Sequence, residues 1–138
     1  MLLDEVGTYL VAQGVGSLGT TSSWRIFKGF GYPSTGRAIV LTETAAPNQH
    51  GHSAATLDNK AFQVLVRGPN ISTAGAYSTM LTKGEAVRTA LEAIGNESLS
   101  GRYYPMVVLA SGPIPLGQDP NNQPLASWNF LALRSKTS

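Results

Sequence analysis

Apolar and polar positions alternate with a period of two along Lys60-Ala-Phe-Gln-Val-Leu-Val-Arg67. This puts Phe62, Val64 and Val66 on one face and Gln63, Leu65 and Arg67 on the other, as in a strand. Gly68-Pro-Asn70 ends it, and from a candidate N-cap at Ser72 or Thr73 the period becomes helical. Tyr77, Met80, Leu81, Val87, Leu91 and Ile94 recur at the spacing of an amphipathic helix. Gly84 lies on the same stripe. A helical glycine costs roughly 0.5 to 1 kcal/mol relative to alanine, so the pattern predicts a close approach of helix to sheet there. Burial of five or six apolar side chains, at roughly 1.5 to 3 kcal/mol each, outweighs that cost. A long helix is therefore expected across a sheet containing the preceding strand.

The same reading extends to the rest of the chain. Leu2, Leu3, Val6 and Leu10 predict a short helix from Met1 to about Gln13, with Asp4 and Glu5 in its first turn complementing the helix dipole. Strands are expected at Trp24–Lys28, Arg37–Glu43, Lys60–Arg67, Tyr103–Ala110 and Leu125–Arg134, in the last of which Trp128, Phe130 and Ala132 alternate with Asn129, Leu131 and Leu133. Gly29 to Gly36 reads as a turn-rich link and Gly95 to Gly101 as a polar return. Ser111 to Pro124, with four prolines, reads as a turn region. Thr44 to Asn59 shows neither period, so it is expected to be a long loop, of a length that is usually functional or disordered. The order predicts a single α+β domain over residues 1–138. It has one mostly antiparallel or mixed sheet of about five strands, and any parallel crossover through the long helix should be right-handed.

Composition narrows the classes. With 138 residues and 42% hydrophobic residues, one core is expected. Charged residues make up only 13%, and the net charge of +2 comes from scattered Lys and Arg, which argues against a nucleic-acid patch. A sheet with both faces partly apolar and little surface charge suits an assembly subunit. The chain has no cysteine, which excludes a disulfide framework and a thiolate nucleophile, and no window has the apolar length of a membrane span. Folding in a cytoplasm is expected.

Candidate chemistry is sparse. Gly14-Val-Gly-Ser-Leu-Gly19 fits the letters of a dinucleotide fingerprint but follows a helix and precedes a strand, the reverse of what pyrophosphate binding needs. His50 and His52 have only Asp58 as a close carboxylate, a poor metal set, and Ser53 beside them lacks the strand and glycines of a nucleophile elbow. Asp119-Pro-Asn-Asn-Gln123 lacks the glycine and terminal glutamate of a calcium loop and reads as an Asx-type turn. The dispersed carboxylates suggest no acid and base pair. No catalytic, cofactor or metal residue is assigned, and no enzyme activity is expected. Trp24, Tyr103, Tyr104 and Trp128, near strand ends, anchor either the core or a subunit interface. Arg67 is either a solvated strand end or one half of an ion pair within or between subunits.

Several stretches resemble the tail terminator, or tail-to-head joining, proteins of long-tailed bacteriophages, a group that includes chains labelled minor capsid protein. They are Tyr9-Leu10, Trp24-Arg-Ile-Phe-Lys28, Phe62-Gln-Val-Leu-Val-Arg67, Ala76-Tyr77, Leu99-Ser-Gly-Arg-Tyr-Tyr104, Ser111-Gly-Pro-Ile-Pro-Leu-Gly-Gln-Asp119 and Ser127-Trp-Asn-Phe130. The resemblance implies a virion protein of the tail or neck, made in the host cytoplasm. It would form a closed ring, typically a hexamer, on the last ring of tail tube protein and present a surface to the head connector or stopper. DNA would pass through the lumen without specific binding, and no membrane is involved. Trp24, Arg67, Tyr103, Tyr104, Asp119 and Trp128 are then interface candidates, and the loop with His50, His52 and Asp58 would face the tube or the lumen. The alternatives are a neck or head-completion protein on the portal side, or a small ligand-binding or enzyme domain using His50, His52 and Asp58.

Overall fold

The run Ala38-Ile-Val-Leu41, fully buried, starts the strand next to one edge of a six-stranded sheet in the computed structural model, which describes residues 2–16, 24–29, 35–44 and 57–135. The elements are α1 (Leu2–Ala12), β1 (Arg25–Lys28), β2 (Ala38–Thr44), β3 (Leu57–Arg67), α2 (Ala76–Glu92), β4 (Gly95–Leu99), β5 (Arg102–Gln118) and β6 (Pro124–Ser135). The strand order is β1-β2-β3-β6-β5-β4. Among the described strands, β1 and β2 pair in parallel and the other neighbours are antiparallel. The protein is α+β, with one mixed sheet and two helices among the described residues. The C-terminal strand is inserted between β3 and β5, so the strands flanking α2 in sequence are not neighbours.

Six strands form where five were expected, and each difference has a local cause. The polar return at Gly95 to Gly101 is a strand and a two-residue turn. Ser100 and Gly101 both take positive φ (51° and 86°), as in a hairpin turn whose twist matches its strands. Gly95-Asn-Glu-Ser-Leu99 has little intrinsic strand preference, and pairing with β5 overrides it. The expected turn region from Ser111 is instead the second half of β5. Its prolines and glycines are absorbed by register shifts between Leu109 and Ser111, Ser111 and Ile114, and Pro115 and Gly117. Proline is tolerated because β4 pairs only as far as Met106, which leaves this half of β5 on an open edge. The turn shrinks to residues 119–123. β3 begins at Leu57, so Asp58 is a strand residue opposite Arg134 and not part of a loop. α2 begins at Ala76, after Gly75 in the left-handed conformation with no side-chain cap, and Asn70 receives the Ser72 N–H instead. Tyr77, expected on the buried stripe, is 49% exposed, and Ala76 takes its place.

The core lies between the helices and one sheet face. Phe62, Val64 and Val66 of β3 pair with Phe130, Trp128 and Ala126 of β6, and the rings of Phe62 and Phe130 stack at 5.4 Å. Met80, Val87 and Leu91 of α2 and Leu2, Val6 and Leu10 of α1 complete it. Gly84 meets the sheet as expected: a Cβ there would lie 2.0 Å from Cη2 of Trp128. In β5, Gly112 at φ +125° leaves no room for a Cβ beside the backbone of Ser127 and Trp128.

Buried Gln123 closes one end of the sheet. Its Nε2 donates to Gly68 O at 2.8 Å, and its Oε1 accepts from Gly36 N at 3.2 Å. Gln123→Leu would leave that carbonyl and N–H unmatched, with an expected loss of about 2 kcal/mol in urea denaturation.

Candidate functional site

Directly paired residues share a face, so the strand register defines the sheet surface opposite the helices. Across it runs Phe27–Val40–Leu65, and toward the other end come Ala61–Leu131–Val108 and Leu133–Met106. Between these apolar rows lies an uncharged polar row, Thr42–Gln63–Asn129–Ser111, in which Asn129 Nδ2 donates to Ser111 Oγ at 3.1 Å. Phe27, Leu65, Val108, Leu131 and Leu133 are half-buried and Met106 is 42% exposed, whereas Val40 and Ala61 in the same rows, and Ala38 and Ser127 near the Arg67 end, are buried. The only charged residues at the paired positions on this face are Arg25, whose guanidinium lies 4.8 Å over the Phe27 ring, and the buried Arg67. Antiparallel sheets that meet water on one face show polar residues there. This one shows leucine, valine and methionine around a hydroxyl and amide ladder, a composition suited to contact with protein.

A second surface lies on the flank of α2. Ser78, Thr79, Thr82, Ala86, Thr89, Ala90 and Ala93 line two adjoining concavities of about 310 and 520 Å³, together with Lys83 and Trp24 in the first and Glu85, Gln13 and Val15 in the second. Lys83 Nζ lies 5.5 Å from the Trp24 ring centre and donates to Val15 O at 3.0 Å, and burial lowers its pKa. Arg37 approaches the same ring at 5.7 Å. Trp24 thus stays half-buried at the surface among cations.

The other expected interface residues divide. Tyr103 is 42% exposed and donates to Asn96 Oδ1. Trp128 and Tyr104 are fully buried, so the core-anchor reading describes them and their side chains offer no surface to a neighbour. Arg67 and Asp119 are also turned inward. Arg67 Nε donates to Gly36 O at 2.7 Å, and its Nη1 lies 3.9 Å from Asp119 Oδ2. The Asp119 Oδ1 accepts the backbone N–H groups of Asn121 and Gln123, the Asx-type turn read from the sequence. His50 and His52 lie outside the described residues, as does Ser53. Among the described residues no cluster of three His, Asp or Glu forms a metal set, and no helix is long and apolar enough to cross a membrane.

The sequence reading missed the buried cluster at Glu5. This side chain accepts from Tyr104 Oη at 2.6 Å and from Arg134 Nη1 at 3.2 Å, joining α1 to β5 and β6. Only the helical spacing of Glu5 with Leu2 hinted that it points inward. Burial raises the Glu5 pKa, but the hydrogen bonds from Tyr104 and Arg134 outweigh it, and the net shift is downward from 4.5. Burial and then the bond to Glu5 push the Tyr104 phenol above its usual 10.0. A lowered carboxyl pKa stabilises the fold above about 4.5, and that contribution is lost as pH falls through the folded value. A raised phenol pKa acts in the opposite direction, and its contribution is lost as pH rises past about 10. Urea midpoints are therefore expected to be flat near neutrality and to fall on both sides. Glu5→Gln should remove the acid limb's Glu5 contribution and also reduce the alkaline limb, because Glu5 helps to raise the Tyr104 phenol.

No protein-family model matches this chain, and neither does any curated protein.

Proposed function

We propose that this chain is a non-enzymatic structural subunit of a bacteriophage tail. It self-associates into a ring, typically a hexamer, that caps the tail tube, ends its growth and presents a surface for head joining. The observation that carries this reading is the nearly charge-free second face of the sheet, where apolar rows flank a polar ladder. Such a face combines an apolar core with hydrogen-bonding groups that fix register, the anatomy of a protein interface. The tube-terminating role comes from the sequence resemblance. Ring formation needs two different patches on each subunit related by a rotation that closes, and the sheet face and the α2 flank are two such patches. The partners are further copies of the chain, the tail tube protein and the head connector, with DNA passing through the lumen unread.

Electron microscopy of particles made without this protein tests the role. Overlong tails, or tails without heads, are expected. Tails of ordinary length that fail to join heads would move the protein to the neck, and ordinary complete particles would remove it from tail assembly.

A further inference from the structure

We propose that the concavity between Trp24 and α2 binds a carboxylate side chain from an acidic segment of another protein. Lys83 and Arg37 supply the charge, and Ser78, Thr79 and Thr82 supply hydroxyls at the wall. The inference goes beyond the ring reading and does not depend on it. Trp24, Arg37 and Lys83 are each half-buried, and both cations lie over the one indole, Arg37 at 5.7 Å and Lys83 at 5.5 Å from its centre.

The site holds cations without anions. All eight Asp and Glu residues of the chain fall in the described segments, and none of them pairs with Lys83 or Arg37. Glu85, on the same helix as Lys83, is held by Trp128 Nε1 and Arg88. Lys83 uses one of its donors on Val15 O, and Arg37 makes no hydrogen bond among the described residues. Burial lowers the Lys83 pKa, the mark of an ammonium drawn partly out of water with no charge to compensate it. A carboxylate entering the concavity supplies that charge through charge-assisted hydrogen bonds. The volume of about 310 Å³ is at the small end of ligand sites and suits an acidic side chain with its flanking backbone. A nucleic-acid strand is the other polymer of the right sign. Such a strand is held by cations spaced along its backbone and by open aromatic faces. Here both cations crowd a single ring, which fits one carboxylate better than a run of phosphates.

Calorimetric titration of the full chain at low salt with hexaglutamate, hexaglutamine and hexathymidylate tests the site. Hexaglutamate is expected to bind and hexaglutamine not to. Lys83→Gln and Arg37→Gln should each weaken hexaglutamate binding at least about tenfold, the effect of losing one charged hydrogen bond. Lys60→Gln, at the far end of β3 from the residue paired with Ala38, should leave it unchanged. Thr79→Glu sets a carboxylate four positions before Lys83, the favourable helical spacing, and should abolish binding by occupying the site from within. Circular dichroism confirms the fold of each variant. Arg37→Gln removes no hydrogen bond, so it decides the matter should Lys83→Gln, which loses the bond to Val15 O, fail to fold. Equal binding of hexaglutamate and hexaglutamine, or a loss as large in Lys60→Gln as in Arg37→Gln, overturns the proposal. So does the absence of hexaglutamate binding at millimolar concentration. Hexathymidylate binding more tightly than hexaglutamate and lost in Arg37→Gln would also overturn it, by assigning the site to nucleic acid. The tail phenotype above decides the ring reading separately.

Discussion

Gly84→Ala is expected to destabilise the protein by about 3 kcal/mol or more, although alanine is the better helix former. On an open helix the change would gain up to about 1 kcal/mol. Here the new methyl would lie 2.0, 2.2 and 2.6 Å from Cη2, Cζ2 and Cζ3 of Trp128. The indole is held in place: it is 1% exposed, and its Nε1 donates to Glu85 Oε2 at 2.9 Å. Either α2 lifts from the sheet, losing contacts of Met80 and Val87, or the indole leaves its rotamer. Overpacking of a rigid core costs roughly 1 to 3 kcal/mol or more, and a helix displaced along its length lies at the upper end. Urea denaturation gives the loss. Trp128→Leu in the Gly84→Ala background should recover part of it, a non-additivity expected of residues in contact. A neutral or stabilised Gly84→Ala would mean that α2 does not approach the sheet at this point.

The second large effect is expected at Glu5. Removing this carboxylate by Glu5→Ala leaves the Arg134 guanidinium, with its side chain 8% exposed, without its anion, and leaves the Tyr104 hydroxyl without its acceptor. Arg134 Nε has no partner even with Glu5 present. Loss of one member of a buried pair costs roughly 3 to 5 kcal/mol because the other charge remains in the interior. The cost belongs to the orphaned cation, so removal of both charges should be far milder. Glu5→Leu combined with Arg134→Met is expected to lie within about 1 to 2 kcal/mol of the native chain. Equal losses in Glu5→Ala and in the double variant would show that the carboxylate contributes by packing alone.

Much of the fold was legible because periodicity records which face is buried. The alternation at Phe62, Val64 and Val66 and at Trp128, Phe130 and Ala132 located the two central strands. The unfavourable placement of Gly84 located the contact between helix and sheet. What periodicity could not give was pairing. Nothing in Gly95-Asn-Glu-Ser-Leu99 marks a strand until β5 lies beside it, and the prolines at 113 and 115 read as a turn because an open edge cannot be seen in sequence. The candidate site follows the same division. Leu131 and Leu133 were visible as the second set of an alternating strand. Their alignment with Met106, Val108, Leu65 and Phe27 depends on register across five strands. Glu5 stood where helix-dipole reasoning already explained it, so its buried partnership with residues 99 and 129 positions away left no local trace.

Thiol labelling of Leu131→Cys, compared between the free chain and mature particles, tests most directly whether the second sheet face is an assembly surface. The account predicts that maleimide reacts readily with the free chain and at least about tenfold more slowly once the protein is built into particles, as expected of a side chain at the dry centre of an interface. Equal labelling in both states would contradict it.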